Sequence, residues 1–152
     1  MRDERARSKM TLKFNNIDGG KNDKDFKIPM EILAWSWGAS NTRRSGEDAG
    51  GGMRCHDISM TKYTDNCSPH ILGLMATDAV IGSAELLVQN ETELTLIFKN
   101  ARISSLSTGG SGGEQRFTEN ISIEFSGIDY RFRDEAKNMT SVSIHFPEAP
   151  SL

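Results

Sequence analysis

Residues 104–132, SSLSTGGSGGEQRFTENISIEFSGIDYRF, constrain the fold more than any other part of the chain. They read as two strands joined by a glycine-rich loop. Before the loop, Ile103 and Ser105 alternate with Ser104 and Leu106. After it, Phe117, Ile121, Ile123 and Phe125 fall on one parity, and Thr118, Asn120, Ser122, Glu124 and Ser126 on the other. A period of two with aromatic and β-branched residues on one side marks a strand with one buried face. At Gly127 the phase slips, because Ile128, Tyr130 and Phe132 now alternate with Asp129, Arg131 and Arg133. A glycine at a phase slip predicts a β-bulge that bends a long strand, and such bends let a sheet curl.

The remaining segments read mostly as strands. Residues 11–17 alternate through Leu12 and Phe14, and residues 18–25, with Gly19 and Gly20, form a polar loop. Residues 28–37 are the most apolar run. Pro29 lacks an amide donor, so the regular strand is expected from Met30. Parity places Leu33, Trp35 and Trp37 on one face, with Ile32, Ala34 and Ser36 on the other. Residues 54–63 form a strand with Ile58 and Met60 inward. Ser68 as N-cap and Pro69 at the first helical position open the one convincing helix, whose apolar stripe is Ile71, Leu72, Met75 and Ala76. Residues 83–88 and 93–99 make a hairpin around residues 89–92, and its second strand continues or bends at Asn100. Thr140, Val142, Ile144 and Phe146 alternate in a last strand, ended by Pro147 and Pro150. Short strands at this spacing around one helix predict a mainly β, single-domain barrel or sandwich.

Composition narrows the partners. At 152 residues the chain suits one domain, and a net charge of −3 gives no electrostatic reason to favour nucleic acid or an anionic membrane over a protein. The opening MRDERARSKM has no apolar central region, and no run approaches the ~20 residues needed to span a bilayer. Synthesis and folding in the cytoplasm are expected. Residues 1–9 hold too little apolar surface to order themselves; they read either as a disordered tail or as sequence upstream of a functional start at Met10. The two cysteines, Cys55 and Cys67, are expected to be reduced thiols.

Catalytic readings find little support. Cys55, His56, Cys67 and His70 can be drawn as a zinc site, but adjacent strand residues point to opposite faces and no C-x-x-C pair is present. A Cys-His nucleophile from the same set lacks an orienting third group. Gly109, Gly110, Ser111, Gly112 and Gly113 lack the Lys-Ser/Thr and the helix that phosphate loops need. Asp57, Asp65, Glu119 and Glu124 read as solvated carboxylates. No enzyme, metal or cofactor is therefore expected. Residues 38–52, holding Gly46, Gly50, Gly51 and Gly52, are long for a connection without an apolar pattern; such loops are usually functional or disordered.

The wording STGGSGGEQRFTENISIEF, with LAWSWGAS at residues 33–40 and DISMTKYTDNCSP at residues 57–69, resembles the hemolysin-coregulated protein (Hcp) family, the tube subunit of bacterial type VI secretion systems. The three blocks stand in the family's order, and the resemblance spans roughly residues 10–132. It implies a phage-tail-tube-like β-barrel of two curved sheets. It also implies a homohexameric ring, stacked into an inner tube that a contractile sheath drives into a target cell. The partners implied are further copies of the chain, effector cargo proteins, and sheath, spike-tip and baseplate proteins, with no nucleic acid and no membrane insertion. Secretion would run through that apparatus without a signal peptide.

The resemblance also assigns roles. Ser36, between Trp35 and Trp37, matches the small polar position that faces the channel and touches cargo. Gly38, Arg43, Arg44, Glu47, Asp48, Gly50, Gly51 and Gly52 fall in the loop that stacks rings, where the charged members depart from the small residues expected of relatives. Gly109, Gly110, Ser111, Gly112 and Gly113 would lie near a subunit or ring interface. Two other classes stay open: a phage-type tail tube subunit, and a monomeric β-barrel that binds a small ligand in a closed apolar pocket.

Overall fold

The longest strand of the protein, β8 (Glu93–Gly109), is shared by two sheets. The structure is a computed structural model and describes residues 8–41 and 53–146. The other strands are β1 (Lys9–Ile17), β2 (Met30–Glu31), β3 (Ala34–Ser36), β4 (Ala39–Asn41), β5 (Met53–Cys55), β6 (Ile58–Tyr63), β7 (Ile81–Gln89), β9 (Thr118–Glu124), β10 (Gly127–Arg133) and β11 (Met139–His145). One helix, α1 (Ser68–Ala76), lies between β6 and β7, and two 3-10 turns at Asp18–Gly20 and Asp23–Phe26 replace the polar loop expected after β1. The first strand begins at Lys9, ahead of the expected Thr11; residues 1–7 lie outside the described residues.

The N-terminal half of β8 pairs antiparallel with β7, from Gln89↔Glu93 to Ile81↔Ala101, and with β10, from Arg133↔Glu93 to Gly127↔Lys99. Its C-terminal half pairs with β9, from Arg102↔Glu124 to Gly109↔Thr118. One sheet therefore runs β2-β1-β7-β8-β10-β11 and the other β8-β9-β6-β3. The protein is mainly β with one helix, as its sequence indicates. Among the described residues no ladder closes the two sheets into a barrel.

The chain itself joins their edges at residues 32–33. Ile32 N donates to Met10 O in the first sheet at 2.9 Å, and Leu33 N donates to Thr61 O in the second at 2.8 Å. The single strand expected over residues 28–37 is thus two short strands in different sheets. Ile32 is buried with Met30 and does not share the exposed face of Ala34 and Ser36. Trp35 and Trp37 pack against the core as expected.

β8 bends at Asn100, whose φ of 51° lies in the left-handed region that asparagine tolerates better than most residues. Asn100 Nδ2 donates to Ser126 Oγ at 3.2 Å, Ser126 N to Lys99 O at 3.0 Å, and Phe146 N to Ser126 O at 2.7 Å. These bonds tie three strands at the bend. The bulge expected at Gly127 is instead a break between β9 and β10, where the chain leaves one sheet for the other. A Cβ on Gly127 would sit 3.3 Å from Ile144 O, so β11 closes tightly over it. The register shift lies between Ile103 and Ser105, and it returns Leu106 to the core side that Ile103 occupies.

Across the first sheet, Phe14, Ala84, Phe98 and Ile128 form one inward row, and Leu12, Leu86 and Leu96 the next. Facing them from the second sheet are Ile58, Ile123 and Ile103, then Met60 and Ile121. Burying each large apolar side chain contributes about 1.5–3 kcal/mol, so these rows carry most of the stability. Trp37, Phe98, Phe125 and Phe146 close the core near the bend, with Phe98 and Phe125 ring centroids 4.7 Å apart. The helix departs from expectation in two ways. Cys67 occupies the N-cap, while Ser68 Oγ accepts from Asp65 N; and Leu74, not Leu72, joins Ile71 inside.

One inward pair is charged. Lys62, fully buried, stands opposite Glu119, 2% exposed, and its Nζ lies 3.1 Å from Glu119 Oε2. Nζ also donates to Tyr63 O at 2.8 Å and lies 3.0 Å from Asp65 Oδ1. Glu119 is therefore not the solvated carboxylate expected; of the other three, Asp65 is 39% exposed and pairs with Lys62, Glu124 is exposed, and Asp57 accepts from Ser104 Oγ at 2.6 Å. Removing one partner of a buried pair strands the other charge, at about 3–5 kcal/mol. Glu119→Ala should lose roughly 3 kcal/mol in urea denaturation, the low end of that range because Asp65 remains, whereas Lys62→Met with Glu119→Leu should be near neutral.

Asp129 is the other buried carboxylate, on β10. Ser143, facing it across the ladder, and then Lys99 and Arg131 hold its carboxyl below the usual range. Since the folded value is the lower one, the stabilisation is present above the unfolded value of about 3.9 and is lost as pH falls through the folded value. Asp129→Asn should lower stability at neutral pH and flatten its decline below about pH 4, read from denaturation midpoints across pH.

Candidate functional site

The four strands of the second sheet put small, mostly polar side chains on the side away from the core. Because successive strand residues alternate faces, Ser59 and Thr61 on β6 point opposite to Ile58, Met60 and Lys62. The ladder then aligns Ser36, Ser59, Ser122 and Ser105 in one row, and Ala34, Thr61, Asn120 and Ser107 in the next. Most of these side chains are exposed, with Thr61 and Ser122 half-buried. Their polar groups bond across the strands: Thr61 Oγ1 donates to Asn120 Oδ1 at 2.6 Å, and the Ser59 and Ser122 hydroxyls lie 3.4 Å apart. The two rows contain no charged residue.

Such a wall is flat, wetted and weakly adhesive. Hydroxyls already bonded to each other offer little to a passing surface, and the absence of charge removes long-range attraction. Charge flanks the rows at one end, where Arg102 stands opposite Glu124 across β8 and β9 and Ser104 donates to Asp57. At the other end the glycine-rich loop begins. Gly109 still pairs with Thr118, Glu114 N donates to Ser111 O at 3.1 Å, and the Phe117 ring lies against Gly110, where a Cβ would come within 2.6 Å of it. A larger residue at position 110 would have to push aside the Phe117 ring, which is 51% exposed. The loop's cleft, about 450 Å³, shares Ser107 and Asn120 with the wall. Arg116 sits 3.5 Å from the Tyr63 ring centroid and fastens the loop's return to β6.

Of the residues expected from the sequence to be functional, Ser36 is exposed in the upper row, between Trp35 and Trp37 that turn inward. Gly38 lies beyond the charged end, where His56 N donates to Gly38 O at 3.0 Å and Trp37 Nε1 to His56 O at 2.8 Å. The stem β4–β5 leads from there into residues 42–52, so Arg43, Arg44, Glu47, Asp48, Gly50, Gly51 and Gly52 lie outside the described residues. Gly38 and the loop of Gly109, Gly110, Ser111, Gly112 and Gly113 are thus at opposite ends of the wall. Ser59, Thr61, Ser105, Ser107, Asn120 and Ser122 were missed as a set. Their signal was a run of small polar residues opposite the apolar parity on three strands, which only the ladder brings together.

The nucleophile and metal candidates separate. Cys67 Sγ lies 3.7 Å from Asp25 O, and burial, then the Asp65 charge, push its thiol pKa up, away from the reactive thiolate. Burial raises that of Cys55 as well. His70 Nδ1 is 3.6 Å from Asp25 Oδ2. Among the described residues no cluster of three or more His, Cys, Asp or Glu side chains is arranged to hold a metal, and no helix is long and apolar enough to cross a membrane.

Comparison with known proteins agrees with this geometry. The sequence model of a family described as "Type VI secretion system effector, Hcp" matches residues 11–132. The chain is 32% identical over 135 residues to Protein hcp1 of Pseudomonas aeruginosa, with 83% of each covered. Among solved structures, a type VI secretion system effector from Yersinia pestis superposes with a TM-score of 0.71 at 19% identity, over 90% of this chain and 98% of that one. Hcp1 from Salmonella typhimurium gives 0.70 at 22% identity, over 91% and 95%. These two show the shared fold, while the sequence matches carry the kinship: the chain belongs to the Hcp family of type VI secretion system proteins.

Proposed function

We propose that this chain is a non-enzymatic tube subunit that forms hexameric rings, stacks them into the inner tube of a type VI secretion system, and carries effector proteins in the channel. The observation that carries the reading is the uncharged wall of Ser36, Ser59, Ser122 and Ser105 over Ala34, Thr61, Asn120 and Ser107. Around a ring, copies of this sheet line a channel that folded cargo enters and leaves. Many weak polar contacts hold such cargo without trapping it, because each exposed hydroxyl bond is worth little against water. In this arrangement Ser36 contacts cargo.

The two loops at opposite ends of the wall suit head-to-tail stacking. The β4–β5 stem with residues 42–52 reaches one neighbouring ring, and the Gly109 to Gly113 loop meets the other. The sheath, spike tip and baseplate then act on the tube from outside and at its ends. The protein is made in the cytoplasm and leaves through the apparatus, to the extracellular space or a target cell.

Light scattering after size exclusion should give the mass of six subunits, and a monomer at all concentrations would overturn the ring. Ser36→Arg should keep that mass but reduce co-purification of effector several-fold, because a long cation replaces a hydroxyl in the row. Loss of the ring in this variant, or unchanged effector recovery, would count against the channel placement of Ser36.

A further inference from the structure

One ammonium joins two elements that the sequence keeps far apart. Lys62 Nζ, fully buried near the end of β6, has four acceptors: Tyr63 O at 2.8 Å, Asp65 Oδ1 at 3.0 Å, Glu119 Oε2 at 3.1 Å and Ser68 Oγ at 3.4 Å. Asp65 and Ser68 belong to the start of α1 and the turn before it. There Asp65 Oδ1 also accepts from Cys67 N at 2.9 Å, and Ser68 Oγ accepts from Asp65 N at 2.9 Å. Glu119 belongs to the return of the glycine-rich loop, where it stands opposite Thr108 on one side and Lys62 on the other. The loop comes back beside the same strand end: Phe117 O accepts from Thr64 N at 2.9 Å, and the Arg116 guanidinium lies over the Tyr63 ring.

We propose that Lys62 is a positioning residue shared by two parts of the fold, and that the start of α1 and the return of the loop compete for its ammonium, so that loosening one tightens the other. The charge count gives the sign. One cation faces two carboxylates, which both attract Lys62 and repel each other. Withdrawing either leaves a one-to-one pair, in which the remaining carboxylate holds the ammonium more strongly. Lys62 has three donors for four acceptors, so hydrogen bonding adds to the competition. The two carboxylates are unequal: Glu119 is 2% exposed and Asp65 39%, so water screens the Asp65 pair more. The inference does not rest on the ring reading. It puts control of the Gly109 to Gly113 loop, which the proposed function sets against a neighbouring ring, on a side chain with no exposed surface.

The test is amide hydrogen exchange of the full chain, read at residues 64–71 and 107–119, with urea denaturation to separate local from global opening. Asp65→Asn removes a charge on the helix side, so exchange should speed about five-fold or more at residues 64–71 and slow at residues 107–119. Glu119→Gln, which keeps the size of the side chain, should do the reverse, with the larger shift because its pair is the drier one. Lys62→Met with Glu119→Leu should speed both segments while the urea midpoint stays near that of the unsubstituted chain. A single variant that speeds both segments in step, or changes only the segment it lies in, would overturn the inference. So would a double variant whose two segments exchange as before. Should Glu119→Gln not fold, the opposite shifts in Asp65→Asn decide alone.

Discussion

Everything in this fold depends on one strand serving two sheets. A strand can be flanked by only two others, so β8 cannot pair with β7, β10 and β9 along the same stretch. It solves this by length and by a bend: β10 uses the N-terminal half and β9 the C-terminal half, and Asn100 turns the strand between them. The bend sets the angle at which the two inward faces meet, and hence which rows interlock. It also leaves β10 and β11 as an extension of the first sheet past the edge of the second, which is why Tyr130, Phe132 and Val142 have no cover of their own.

The buried Lys62–Glu119 pair works on register. An apolar core of isoleucine and methionine tolerates many alignments, since one branched side chain fits nearly where another did. A charged pair does not. Sliding β6 by one residue against β9 would turn every side chain over, sending Lys62 to the polar wall and Thr61 and Ser59 into the core. It would also strand Glu119 without its cation. Replacing such a pair with apolar residues often leaves stability unchanged, whereas a slipped alignment would leave both charges unpaired. With Asp65 and Ser68 also on Lys62 Nζ, the same group fastens the start of α1 to the sheet.

Much of this was legible in the sequence wherever period two ran unbroken. Leu86 and Leu96, Ile121 and Ile123, and Ile58 and Met60 fall inside as alternation requires. It failed where the chain changes sheets. Nothing local in the sequence at Ile32 and Leu33 distinguishes a continuous strand from a crossing, because both residues are apolar while their hydrogen-bond partners change. Glu119 sat on the inward parity and was discounted as charged; its partner Lys62 lies 57 residues earlier, and only the ladder makes them neighbours. The outward orientation of Ser36 was legible because Trp35 and Trp37 flank it and turn inward, but the rest of its row was not. A row that crosses four strands has no signature in any one of them.

The polar wall and the exposed apolar side chains of β10, β11 and α1 stand on different elements. A subunit that lines a passage must present a surface to which nothing adheres for long, and a subunit that assembles must present surfaces to which its own copies adhere well. Strand alternation gives the first cheaply, since small hydroxyls on the outer parity of β3, β6, β9 and β8 leave the core untouched. The second cannot come from the same sheet without spoiling the passage. The exposed apolar side chains Leu72, Tyr130, Phe132 and Val142 lie outside that sheet, on the β10–β11 extension and the helix. Separating the two kinds of surface onto different elements lets each vary alone: a polar change in the wall leaves the hairpin and helix untouched, and a change on the hairpin or helix leaves the wall untouched.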